Sequence, residues 1–90
     1  MRIIFSRRFY EQLPTLSDDA KEIVDKKLDL LKHNPFRFKR LFYPDRHLFR
    51  IRFSDRRAEK RIIFEVKDDS IIVWCILDRK DDYDDLEKNI

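Results

Sequence analysis

Glycine is absent from this sequence. That excludes phosphate loops of the Walker or dinucleotide kind, which need Gly where the backbone closes on a phosphate. It also leaves the turns to Asn, Asp and Pro, and it makes positive φ costly wherever a loop requires it. There is one cysteine, Cys75, so no internal disulfide is possible, and a reducing cytoplasm is the expected compartment. The two histidines, His33 and His47, lack the His/Cys/Asp spacing of a metal site, so no metal is expected. No apolar run approaches the roughly 20 residues that span a bilayer. The opening MRIIFSRRFYEQL breaks into charge after Phe5, unlike a signal peptide.

What the chain has instead is charge. Charged residues make up 43% of it, beside 42% hydrophobic residues that include eight Phe. The phenylalanines are enough for a folded core, and 90 residues fit a single domain spanning 1–90. High charge with no glycine suits a heat-adapted protein with surface ion networks and stiff loops. The net charge of +3 hides an asymmetry. Residues 36–67 carry 11 Lys/Arg against 4 Asp/Glu, whereas residues 68–90 carry 3 against 8. The middle third is therefore a basic stripe able to attract a polyanion.

The order of elements follows from periodicity. RIIF, residues 2–5, reads as a short strand. Ser6 is placed to cap a helix, with Phe5 and Tyr10 as a hydrophobic staple, and Pro14 ends it. Ser17 caps a second helix with Asp18 and Asp19 in its first turn; Ala20, Ile23, Val24, Leu28 and Leu31 follow helical spacing up to Asn34-Pro35. From Phe36 the period becomes two. Phe49, Ile51 and Phe53 share one strand face, and Leu48, Arg50 and Arg52 share the other. Ile62, Phe64 and Val66 repeat the pattern, with Arg61, Ile63 and Glu65 opposite. Residues 54–60 read as a loop and 67–70 as a turn. IIVWCIL, residues 71–77, is apolar on both faces, as a central strand would be. A short acidic helix is expected over about 82–89.

The predicted fold is α+β. Its order is β-α-α-β-β-β-α, with a small antiparallel sheet and an N-terminal helical hairpin packed on one face. Because Phe49, Ile51 and Phe53 need the core, Arg50 and Arg52 must face away, and Arg61 on the paired strand can join them. Three guanidinium groups there make a phosphate cradle, although a solvated sheet face would show the same alternation. Trp74 and Cys75 read as core, and His33 as a helix-end charge.

The sequence of features, "HNPF", "FKRL", "HLFRIRF", "KRIIFEV" and "IIVWCILDRKDDY", resembles the RelE/ParE superfamily of bacterial and archaeal toxins over nearly the whole chain, the RelE branch best. That resemblance implies the toxin of a type II toxin–antitoxin pair, a ribosome-dependent mRNA endoribonuclease. Its chemistry is metal-free attack by the substrate 2′-hydroxyl, without cofactor, and its partners are a cognate antitoxin, the ribosome and mRNA. Carried over by motif, the catalytic set is Arg50 and Arg52 in "FRIRF", Arg61 in "KRIIF", and Arg79 and Tyr83 in "DRKDDY". Arg52 and Arg61 would stabilise phosphorane charge, Arg79 the leaving group, and Tyr83 would stack on a base. Outside that set, Arg37, Lys39, Arg40, Arg56, Arg57 and Lys60 are either solvated charge or sequence-blind contacts to the RNA backbone.

Three departures stand out. Arg50 replaces the usual Lys, Asp78-Arg79 replaces His-Arg, and "SDRRAEK" is longer than the family's hairpin turn. The general base is thus open between Arg50, Asp78 and His47. Two other readings share the fold: a non-enzymatic ParE-like inhibitor of DNA gyrase, and a degenerate RNA-binding relative.

Overall fold

A computed structural model of the chain describes residues 1–79, Leu86 and Ile90. Its elements are β1 (Arg2–Phe5), α1 (Arg7–Gln12), α2 (Asp18–Leu31), β2 (Lys39–Tyr43), β3 (Arg46–Asp55), β4 (Ala58–Lys67) and β5 (Ser70–Asp78). Short 3-10 turns lie at Leu13–Thr15 and Pro35–Arg37. The expected helix over 82–89 lies outside the described residues.

The caps act as the sequence suggests. The Ser6 hydroxyl accepts from Phe9 N–H at 3.1 Å, and the Phe5 ring lies 5.5 Å from Phe9 and 5.8 Å from Tyr10. The Ser17 hydroxyl accepts from Ala20 N–H at 3.2 Å. α2 then buries Ala20, Val24 and Leu31, while Ile23, on the expected stripe, is 39% exposed. The buried stripe is narrower than the sequence pattern because α2 lies over a single sheet.

The strand order is β1-β5-β4-β3-β2. The fold is α+β as expected, but two corrections apply to the sheet. It is mixed, not wholly antiparallel: β1 pairs in parallel with β5, Ile3 beside Ile71 and Phe5 beside Val73. And four strands, not three, follow the helices. Lys39–Tyr43 is an edge strand against β3, with Leu41 opposite Leu48. Its alternation is hidden because Phe42 is fully exposed.

The turns show how a chain without glycine makes hairpins. Asp45 (φ 60°) follows Pro44 between β2 and β3, and Asp68 (φ 54°) lies between β4 and β5. The expected loop over 54–60 is instead a two-residue turn: Asp55 pairs with Ala58, and Arg56 (φ 50°) and Arg57 (φ 70°) make the reversal. Two consecutive residues at positive φ match the right-handed twist of the flanking strands, so the tight turn extends both strands to ten residues.

The main core lies between the helices and the sheet. Phe49 stacks on Phe64, with centroids 5.2 Å apart and planes 13° apart, among Ile51, Phe53, Ile62, Val73 and Ile76. A bulge breaks the alternation on β5. Ile63 opposes Cys75 and Phe64 opposes Val73, which leaves Trp74 as the extra residue. Val73 and Ile76 thus face the helices, while Trp74 and Cys75 both join a second apolar cluster on the far side.

Two side-chain devices lock helices to sheet. β5 outruns β1, and α1 covers its free edge. Ser6 N–H donates to Val73 C=O at 2.9 Å, and the Ser6 hydroxyl donates to Trp74 C=O. The Gln12 amide then imitates a strand: Nε2 donates to Ile76 C=O at 2.7 Å, and Oε1 accepts from Ile76 N–H at 2.6 Å. At the far end of β3, the buried Asp55 carboxylate accepts from the Ser17 hydroxyl at 2.6 Å and from Ser17 N–H at 3.2 Å. The hydroxyl bond from Ser17 is the largest cause holding Asp55 below the usual carboxylate range, and burial opposes it.

Two outcomes follow. Gln12→Ala leaves Ile76 N–H and C=O without their side-chain partner and should cost about 1–3 kcal/mol in urea unfolding. Because the folded pKa of Asp55 is lowered, its contribution is full above the ordinary carboxylate range and is lost as pH falls through the lowered value. Asp55→Asn should therefore be less stable than the parent at pH 7, with a shallower decline on acidification. Parallel slopes of stability against pH would show that the clamp contributes nothing.

Candidate nucleic-acid interface

The strand period divides the sheet into two chemical faces. Helix-side positions of β3 and β4 are Phe49, Ile51, Phe53, Ile62 and Phe64; the alternate positions are Leu48, Arg50, Arg52, Glu59, Arg61, Ile63 and Glu65. This second face is not an open field of charge. Leu48, Ile63, Cys75 and Leu77 form a buried cluster at its centre, covered by Leu86 and flanked by Leu41, Tyr43, Trp74 and Ile90. Charge sits at its two ends.

At one end, Glu65 is buried and fully engaged. Arg46 donates to it twice, Nε to Oε2 at 3.0 Å and an Nη to Oε1 at 2.6 Å, and Trp74 Nε1 donates to Oε1 at 2.9 Å. Arg46 also lies 5.5 Å over the Trp74 ring. The Arg46 hydrogen bonds are the largest cause holding Glu65 below its ordinary value; Trp74 adds to this and burial opposes it. The same bonds raise Arg46. A bidentate pair stacked on an aromatic ring in this environment is structural in character.

At the other end Arg52 and Arg79 are exposed and Arg50 and Arg61 are half-buried. Arg52 lies directly opposite Arg61 across β3 and β4, and Arg61 opposes Leu77 on β5. Glu59, on the same face, gathers two of the arginines. Its Oε2 accepts from Arg52 at 3.4 Å and from Arg79 at 3.2 Å, and Arg79 N–H donates to Glu59 C=O at 2.9 Å. Arg50 is half-buried, one step along β3, opposite Ile63 and across from Lys39 on β2. Arg50, Arg52, Arg61 and Arg79 are therefore brought to one end of one face. Tyr83 lies outside the described residues.

The remaining sequence candidates are spread out. Arg56 and Arg57 form the β3–β4 turn, beside a groove of about 520 Å³ lined by Arg57, Ala58, Glu59, Lys60, Asp78 and Arg79. Lys60 is engaged by Asp78 at 2.6 Å. Lys60 opposes Phe53 and Asp78, on the helix-side register. Arg37 lies 5.8 Å over the Phe38 ring, and Arg40 is exposed on β2 opposite Phe49. Of the three alternatives for the base, Asp78 pairs with Lys60 and not with Arg79, and His47 sits at a helix-side position opposite Phe42. His47 is thus kept from the arginine cluster, whereas Asp78, held by Lys60, lines the groove beside Glu59 and Arg79.

Sequence reasoning passed over Glu59, Arg46 and Glu65. Glu59 reads as one more solvated charge inside a supposed loop. Glu65 carried a signal, since an acid inside the apolar run IIFEV needs a buried partner. Nothing local identifies Arg46 as that partner.

Among the described residues, no group of three His, Cys, Asp or Glu side chains could hold a metal, and no helix is long and apolar enough to cross a membrane. No protein-family model, curated protein or solved structure matches the chain. The likeness to the RelE/ParE toxins therefore rests on its motifs and their order.

Cys75 lies at zero exposure in the second cluster, and burial pushes its thiol up to about 11. A thiol-reactive dye at pH 8 should leave it unlabelled in the native protein and label it in urea. Rapid native labelling would mean that Leu86 does not seal this face.

Proposed function

We propose that the chain is a RelE-like toxin, a ribosome-dependent endoribonuclease that acts on mRNA and is neutralised by a cognate antitoxin. The observation that carries this reading is the arrangement of Arg52 opposite Arg61 with Arg79 drawn in through Glu59. These are the positions the motif resemblance assigns to phosphate chemistry, and the strand register groups them for independent reasons.

In the proposed reaction the 2′-hydroxyl oxygen attacks the adjacent phosphorus, and the bond to the 5′-oxygen breaks. The products are a 2′,3′-cyclic phosphate and a free 5′-hydroxyl. One proton leaves the 2′-hydroxyl and one is delivered to the departing oxygen. Arg52 and Arg61 are positioned to hold the non-bridging oxygens as charge builds on the phosphorane. Arg79 would bind the leaving oxygen, and Tyr83, by motif, would stack on a base. Arg50 is a poor base, because a guanidinium presents only N–H donors and no acceptor. Glu59 is the carboxylate that lies among these arginines, and it is the chemically competent acceptor there.

A second reading has an observation of its own. Because His47 sits at a helix-side position and Asp78 is held by Lys60, the cluster has cations without a histidine acid, as an RNA-binding relative that has lost cleavage would have.

Primer extension on an mRNA held in translating ribosomes separates the two. The first reading expects cuts confined to A-site codons, absent without ribosomes, and reduced about 100-fold or more by Arg61→Ala or Arg79→Ala. Glu59→Gln should also abolish them if Glu59 takes the proton. RNA binding without cuts by the folded parent protein would leave the second reading. Inhibition of gyrase that survives Arg61→Ala would overturn both.

A further inference from the structure

The β3–β4 turn is built from the wrong residues for its geometry. Two-residue hairpins with both central residues at positive φ strongly prefer Asn-Gly or Asp-Gly. Here they are Arg56 and Arg57, at φ 50° and 70°. A side chain with a Cβ is disfavoured in the left-handed region, where it crowds the following carbonyl oxygen. The other two sharp turns place aspartate at positive φ, a residue that tolerates the region better, so this chain has a cheaper solution and does not use it here.

Local contacts do not account for the choice. The neighbouring Asp55 feels the charge of Arg56, but its oxygens are engaged by the Ser17 hydroxyl and N–H, and among the described residues no ion pair holds either arginine. Both arginines are exposed. The strained turn is sustained from below. Asp55 pairs with Ala58 to close the hairpin, and the Ser17 clamp fixes the strand end to the start of α2. Strain of this kind persists where the surroundings over-determine it, and it clusters at binding sites. Behind the turn runs the groove lined by Arg57, Glu59, Lys60, Asp78 and Arg79, in which Lys60 is held by Asp78 and Arg79 by Glu59, so that the turn arginines are the ones left facing solvent.

We propose that the Arg56-Arg57 turn is a rigid prong for nucleic-acid phosphates, holding the backbone of RNA beyond the reacting nucleotide. The proposal rests on the RNA reading above and extends it to a second contact area. The chemistry is specific to phosphate in one respect: a guanidinium fork matches two phosphate oxygens, and adjacent phosphates along a strand offer a ligand for each arginine. The turn gives up backbone stability for that contact, so stability and binding should move in opposite directions when it is replaced.

The test uses the full chain and two variants, R56N/R57G and R56Q/R57Q. Binding is read by fluorescence anisotropy on a 20-nucleotide single-stranded RNA and on the same RNA as a duplex, at several salt concentrations. R56N/R57G should melt roughly 4 °C or more higher, since Asn-Gly takes up the same turn without the left-handed strain. Both variants should lower the log–log salt slope by about 1.4–1.8, the share of two phosphate contacts. Raising salt from 50 to 200 mM would then weaken the parent about tenfold more than either variant. Loss on the duplex alone assigns the phosphates to a structured RNA; loss on both assigns them to any RNA strand.

An unchanged salt slope in both variants would overturn the prong. So would equal binding and equal loss on poly-glutamate, which would point to an acidic protein. The two readings fail separately: cleavage by the parent with an unchanged slope sinks the prong alone, and a lowered slope with no cleavage sinks the nuclease alone.

Discussion

The stacking of Phe49 on Phe64 fixes the register on which everything else depends. A strand has a period of two, so a one-residue slip of β3 on β4 would turn every buried side chain to the other face. The stack sits beneath α2, in a core shared with Ile51, Ile62 and Val73, and a slip there would expose phenylalanine and bury arginine. The same register sets Arg52 opposite Arg61. Like charges facing each other across a ladder are unfavourable on their own. The arginine arrangement is thus imposed by the apolar face, and Glu59 moderates it locally.

The two ends of the second face treat arginine in opposite ways. Arg46 is bound twice to a buried carboxylate and lies over Trp74; removing one partner would strand a buried charge, which is strongly destabilising. Arg52 and Arg79 share one carboxylate at longer distances, with more than half of each side chain exposed. Such surface pairs are worth little and exchange partners cheaply. A phosphate can therefore replace Glu59 as the ligand of Arg52 and Arg79 at small cost, but it cannot compete for Arg46. The difference in burial, more than the residue type, separates an arginine that holds the fold from one available to a ligand.

Much of this was legible from periodicity. The alternation of Phe49, Ile51 and Phe53 against Arg50 and Arg52 gave the faces of β3, and the Ser6 and Ser17 caps gave both helix starts. What was hidden depends on contacts distant in sequence. The parallel pairing of β1 with β5 joins residues 68 apart, and no local pattern encodes it. β2 is hidden because Phe42 is exposed between half-buried Leu41 and Tyr43, so burial alternates where residue type does not. Arg-Arg carries none of the usual signals of a tight turn, so residues 54–60 read as a loop where the chain makes a two-residue reversal. Glu59 was missed for the same reason: once residues 54–60 are taken as loop, Glu59 has no face. The error in the turn and the omission at the site are one error.

The edges of the sheet complete the physical picture. An open edge invites pairing with another chain, and each edge here is treated differently. On the β5 side, where β1 stops short, Ser6 and Gln12 satisfy the ladder with side chains. On the β2 side the strand is short and carries Lys39 and Arg40, charges that oppose edge-to-edge association of identical copies. The same charges would favour an acidic segment over a second copy of this chain. The free edge of β5 is thus covered by α1 and the β2 edge is guarded by charge. The basic end of the sheet is left accessible as a consequence, since the helical hairpin is committed to Phe49, Ile51, Phe53 and the free edge of β5.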